Sequence, residues 1–183
     1  MKDCTLDLNN MTNTTTWTAH DTFFDSVTLS GPNNSNGLLV NSHNGYLGTA
    51  TLPGATNLKY VPYADYQTGP LGNHYYPTNG TNLFILVNAG SRNADAAGLW
   101  HFGVHTNQVA ETNTVVDIGR HFAVLNGQLS AAQDTDGDSL ANVDEDIDGD
   151  GVADAGETDW QGYNSLFGIG AGPGLVVFTP LKP

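Results

Sequence analysis

Apolar residues along this chain come in short runs separated by clusters of glycine, proline and asparagine. The runs at 14–18, 26–30, 38–41, 46–52, 58–63, 83–88, 99–105, 114–118, 121–125 and 175–179 each predict a strand. Asn44-Gly45, Pro53-Gly54, Asn79-Gly80 and Asn126-Gly127 supply turn signals between them. Leu83-Phe84-Ile85-Leu86-Val87 is apolar throughout and predicts a strand through the centre of the core, as does Leu175-Val176-Val177-Phe178. Residues 1–13 are polar and predict an arm or a first edge strand. No window holds a helical period, apart from one turn around 94–97. The expected class is all-β, an antiparallel β-sandwich or jelly roll.

One stretch breaks the pattern. Between Asp134 and Glu157 polar residues alternate as two twelve-residue loops laid end to end. In the second, Asp146, Asp148, Asp150, Asp154 and Glu157 hold positions 1, 3, 5, 9 and 12, with Gly151 at 6 and the Val152 carbonyl available at 7. In the first, Asp134, Asp136, Asp138, Asn142 and Glu145 repeat that spacing and Leu140 offers the carbonyl. Calcium takes six to eight oxygens at roughly 2.3–2.6 Å, so carboxylates at alternate positions have to curl around one point. Ser139 stands where the sharp turn favours glycine, which predicts the first loop to be weaker or more strained. The expected cofactor is Ca²⁺, about two ions.

What flanks these loops separates calcium families. Glu145 is followed at once by Asp146, leaving no room for a helix between the loops, and 126–133 is too short and glycine-broken to enter one. Tandem Asp-x-Asp-Gly-Asp loops without such helices resemble the thrombospondin type 3 repeat in a cysteine-free, bacterial form. The resemblance covers 134–157 alone. It implies an irregular chain wrapped around a row of calcium ions with little apolar core of its own. The expected organisation is a β-sandwich body, 1–133 plus 161–183 with a final strand at 175–179, interrupted by a calcium-binding insertion at 134–160.

Charge sharpens this reading. The formal charge is −14, yet eleven of the nineteen acidic residues lie between Asp134 and Asp159, leaving −3 for the rest. Five Lys and Arg cannot build a phosphate-neutralising face, which excludes nucleic acid and an anionic membrane surface as partners. Charged residues are 13% of the chain, about half the usual share, with Asn, Thr, Gly and Ser replacing them. That profile predicts an extracellular or cell-surface setting. No signal peptide or membrane span is read, so the expected form is a mature one. Cys4 has no intramolecular partner and is either free or a cross-link between subunits. Glycosylation sequons at Asn10, Asn13, Asn33 and Asn79 are expected by chance in so Asn- and Thr-rich a chain.

Other chemistry is thin. His101 and His105 on one strand would stand about 13 Å apart, too far for a common ion, leaving His121 as the remaining partner for a metal pair. Tyr60, Tyr63, Tyr66, Tyr75 and Tyr76 form a cluster suited to stacking on sugar or to an interface, or else to capping the core. No nucleophile elbow, phosphate loop or zinc-protease motif is present. Glu111, the one glutamate outside the acidic loops, would need Asp21, Asp25, Asp65, Asp95 or Asp117 to make a catalytic pair. The expected function is therefore not enzymatic. It is a calcium-rigidified structural or assembly protein of a surface layer, filament or adhesive fibre, partnered by itself or other surface proteins. The alternatives are a calcium-dependent carbohydrate-binding module, with glycans as partner, and then a secreted hydrolase.

Overall fold

The computed structural model describes residues 1–8, 16–31, 39–80, 82–165 and 168–169. Strands dominate them and helix is confined to single turns. The first seven strands are β1 (Thr5–Asp7), β2 (Trp17–His20), β3 (Phe23–Asp25), β4 (Thr28–Ser30), β5 (Leu39–Ser42), β6 (Gly45–Leu47) and β7 (Lys59–Tyr60). They pair in parallel, as β1–β4, β2–β5 and β3–β6–β7. Trp17 lies opposite Leu39 and Phe23 opposite Gly45, each 22 residues on. Successive turns of chain are thus laid on one another as a short stack.

This corrects the expectation of antiparallel pairing between sequential strands. Between β2 and β3 the chain bends at Asp21, which takes φ +56°, and the same corner recurs at His43 with φ +52° and at Asn57 with φ +51°. A second corner recurs at Asp3, Ser26 and Gly48, with φ +48°, +56° and +59°. A single left-handed residue turns the chain aside where a hairpin would reverse it, and Asp, Asn and Gly tolerate that region best. Each strand then finds its partner one full turn later. Antiparallel pairing between strands is confined, among the described residues, to three two-stranded units, beside isolated antiparallel bridges at Asn93–Val115 and Leu125–Ala132. The three units are β8 (Gln67–Gly69) with β9 (Gly72–Tyr75), β10 (Phe102–Gly103) with β11 (Phe122–Ala123), and β12 (Asn164–Ser165) with β13 (Gly168–Ile169).

Alternation along β3 builds two cores. Phe24 points into the stack, where its ring lies 5.2 Å from that of Tyr46 at 10°, among Leu8, Ala19, Val27 and Leu52. Phe23 points outward to Val61, Tyr76, Leu83, Leu86, Val104 and Ile118. Asn44, fully buried, fixes the pitch: its Nδ2 donates to the Ala19 carbonyl at 2.9 Å and its Oδ1 accepts from Thr22 N at 2.9 Å. The outer core is closed by residues expected to form a central strand. Leu83–Leu86 is instead a 3₁₀ turn, with Leu83 and Leu86 buried and Phe84 and Ile85 exposed. Side chains three apart eclipse in that helix, so an unbroken apolar run still buries only every third residue. Asp65 starts the turn by accepting from Asn82 N and Leu83 N, both at 2.9 Å. Gly45 makes room for it, since a Cβ there would sit 2.7 Å from Leu86 Cδ2.

Other expectations divide. A turn does form at Asp95–Ala97. The run at 114–118 makes no strand, only a bridge between Val115 and Asn93. The strand at 175–179, and with it the placing of the acidic segment before a last core strand, lies outside the described residues. No helix among them is long and apolar enough to cross a membrane.

Candidate metal centre

The two acidic loops fold alike. At position 1, Asp134 accepts from Gly137 N at 2.7 Å and Ser139 N at 3.0 Å, while Asp146 accepts from Gly149 N and Gly151 N, each at 2.8 Å. At position 3, Asp136 accepts from Asp138 N and Asp148 from Asp150 N, at 3.1 and 3.3 Å. At position 5, Asp138 accepts from Leu140 N and Asp150 from Val152 N, at 2.8 and 2.7 Å. Positions 4 and 6 are left-handed in both: Gly137 and Ser139 at φ +81°, Gly149 at +72° and Gly151 at +86°. Ser139 therefore adopts the conformation that glycine adopts in the second loop, as its position predicts. The curl that points alternate carboxylates inward is built from these turns.

Three groups of ligand atoms converge within 4.8 Å: Asp134, Asp136 and Asp138; Asp146, Asp148 and Glu157; and Asp148, Asp150 and Asp154. The loops part at positions 9 and 12. Glu157 accepts from Ile147 N at 2.8 Å, Asp148 N at 3.1 Å and Asp154 N at 3.1 Å, closing the second loop on itself. In the first loop that closing role passes to Asn142, buried, whose Oδ1 accepts from Thr135 N at 2.8 Å. Glu145 is fully buried and joins none of the three groups. The last four positions of the first loop, Asn142–Glu145, form a single α-helical turn, a local helix within the loop where none was expected between loops.

The segment is packed against the body. Trp100 N donates to the Gly149 carbonyl at 3.0 Å, and the Trp100 ring covers Gly151, where a Cβ would fall 2.3 Å from it. Trp160 Nε1 donates to the Gly151 carbonyl at 3.2 Å from the other end. His101 stands edge-on to Trp160, and its Nε2 lies 2.9 Å from Asp146 Oδ2, off hydrogen-bond geometry. Desolvation holds the His101 imidazole below its usual pKa, and the Asp146 charge opposes that.

Electrostatics separate the carboxylates. Desolvation and then neighbouring charges push Asp136 and Asp148 up, against the N–H bonds that favour their ionised forms. Glu157 is held below the usual range by its N–H donors, those of Asp148 and Asp154 first. Two carboxylates about 4 Å apart repel by about 4 kcal/mol at an effective dielectric of 20. Within the three converging groups one oxygen is enclosed with no hydrogen-bond partner: Asp136 Oδ2, although the residue as a whole is only half-buried. Leu140 and Val152, offered for their carbonyls, leave their side chains exposed at 44% and 56%.

The remaining candidates scatter. Tyr75 and Tyr76 are core residues, each 1% exposed, and Tyr66 is half-buried with its hydroxyl on Asp25 at 3.1 Å. Tyr60 and Tyr63 are exposed at 63% and 66%, so the five do not present one surface. The histidines take separate partners: His105 Nδ1 faces the Tyr76 carbonyl at 3.2 Å, and His121 Nε2 pairs with Glu111. No histidine enters a converging group among the described residues. Asp21 binds Ser91, Asp25 binds Lys2 and Asp95 binds Ala96 N, each as the acceptor of a separate contact.

The constellation that the sequence concealed is Glu111, Asp117 and His121. Glu111 and Asp117 are buried and His121 is half-buried; the Glu111 carboxylate accepts from Asp117 N at 3.1 Å and faces His121, and Asp117 accepts from Asn88 N at 2.6 Å. Desolvation first, then Glu111, pushes Asp117 up to about 6. The sequence offers Asp117 as one of five possible partners of Glu111 and sets His121 apart from both, with no spacing that joins the three.

No family model matches the chain, and no curated protein or solved structure matches it significantly.

Proposed function

We propose that residues 134–157 bind about two calcium ions and that this binding rigidifies a structural or assembly protein working outside the cell. The observation that carries the reading is the repeated turn: two loops with the same left-handed positions and the same N–H donors aim alternate carboxylates at common points. Hard oxygen ligands and flexible geometry suit calcium better than magnesium, which demands a tighter octahedron. A dication offsets the mutual repulsion of each group and supplies the partner that Asp136 Oδ2 lacks. Loop geometry supports a thrombospondin type 3-like arrangement, since among the described residues the one helix beside the loops is the single turn Asn142–Glu145. Contacts from Trp100 and Trp160 to Gly149 and Gly151 carry metal binding into the body.

The test is thermal unfolding with calcium against EGTA, together with calorimetric titration. Calcium at a hundredfold excess over Kd stabilises a folded form that alone binds it by about 2.7 kcal/mol. Identical midpoints and no binding heat would sink the metal reading. Light scattering with and without calcium then tests assembly, for which a monomer at all concentrations is the adverse result.

A further inference from the structure

We infer that the cavity beside the first turns of the stack is a binding site for a neutral pyranose sugar. It encloses about 600 Å³ between Lys2, Asp21, Tyr66, His74 and Arg120. That volume lies in the range of small-molecule sites, about 300–1,000 Å³. The rings of Tyr66 and His74 meet edge to face with centroids 5.1 Å apart, and both are half-buried; Phe23 and Tyr76 pack tilted against Tyr66 and Lys2 Nζ stands 5.9 Å over its ring, so a ligand on that face lies beside the ammonium. Tyr66 is held in place by its bond to buried Asp25, and a wall fixed beforehand loses little entropy on binding.

The rim selects the ligand. Lys2 is engaged by Asp25 at 2.8 Å and Asp3 at 3.3 Å. Asp21 accepts from Ser91 N and Ser91 Oγ, at 2.6 and 2.8 Å, which leaves about two of a carboxylate's four acceptor positions. Arg120 is exposed and makes no ion pair among the described residues; its guanidinium lies over the Phe122 ring at 4.8 Å. Charges of both signs therefore face one space: the Met1 ammonium, Lys2 and Arg120 stand against Asp3 and Asp21, with Asp25 behind Lys2, and they nearly cancel. An anion meets Asp3 and Asp21, and a cation meets Lys2 and Arg120. A ring with hydroxyls uses both, accepting from Arg120 and donating to Asp21, while its C–H face lies on the aromatic wall. No residue of 134–157 lines this cavity, so the outcome here and the calcium titration are read independently.

The experiment titrates isotope-labelled, calcium-loaded protein with the methyl glycosides of glucose, galactose, mannose and N-acetylglucosamine, with sodium acetate and sorbitol as controls. At least one glycoside should shift the amides of Thr22, Gly119 and Arg120 saturably. Arg120→Ala and His74→Ala, both outside the buried cores, should each weaken that binding by about tenfold or more while leaving the remaining spectrum intact. The inference is overturned if no glycoside moves these amides at tens of millimolar, if acetate moves them equally, or if both variants bind as the parent does.

Discussion

The N-terminal stack and the acidic segment are both made by repetition, and they are held together in opposite ways. In the stack the repeat is about one turn of chain, and backbone groups find each other across turns, as Gly45 N finds the Thr22 carbonyl at 3.0 Å. Side chains are then free to fill a core. In the acidic segment the repeat is too short for a ladder, so side-chain carboxylates take up the backbone N–H groups instead. Little is left to bury. The first region owes its stability to apolar contact and the second to charge, and their responses to mutation and solvent should diverge.

Truncating Phe24, fully buried against Tyr46, should separate the two most sharply. Phe24→Ala is expected to cost about 3–5 kcal/mol in urea denaturation, equally with calcium and with EGTA. Asp146→Ala removes the acceptor of three N–H groups, those of Gly149, Asp150 and Gly151, and should cost about 1–3 kcal/mol without metal. Unlike Phe24→Ala, it should also abolish much of the calcium-induced rise in midpoint. Asp134→Ala, losing two N–H bonds at a more exposed site, should do less of both.

Asp117 provides a contrast in pH. Its folded pKa of about 6 stands above the unfolded value of 3.8, so the native state holds the extra proton. Its contribution is complete below 3.8 and is lost as pH rises through 6, a swing of about 3 kcal/mol at most. Asp117→Asn keeps an acceptor for Asn88 N and should flatten that slope, raising the urea midpoint at pH 7.5 relative to the parent. Smallest of all, Ser139→Gly relieves a left-handed serine and should stabilise the calcium-free form by at most about 1 kcal/mol, with tighter binding in the first loop by calorimetry.

Much of this was legible in the residues, though unevenly. The turns of the acidic loops were readable because alternating Asp and Gly positions dictate them, down to the left-handed Ser139. Most short strands in the first sixty residues were placed, since β-branched and aromatic runs report pleated backbone whatever their partners. Partnership was not readable: a corner such as Asp21-Thr22 and a hairpin look alike until the φ of one residue is known. The Leu83–Leu86 turn was hidden because a wholly apolar run has no period to betray a 3₁₀ geometry. The five tyrosines fit either an exposed cluster or a cap on the core, because aromatics near proline and glycine suit both; only burial assigns Tyr75 and Tyr76 to the core.

The matched register of the stack has a consequence for how such a chain can change length. Because Phe23 sits directly over Gly45, excising residues 23–44 joins Thr22 to Gly45 across a gap of one strand spacing, about 4.8 Å. A cut one residue longer or shorter would slip the register by one place and turn the side chains of the joined strand to the other face. The molecule can therefore gain or shed material only in complete windings, like a spring sold by the loop.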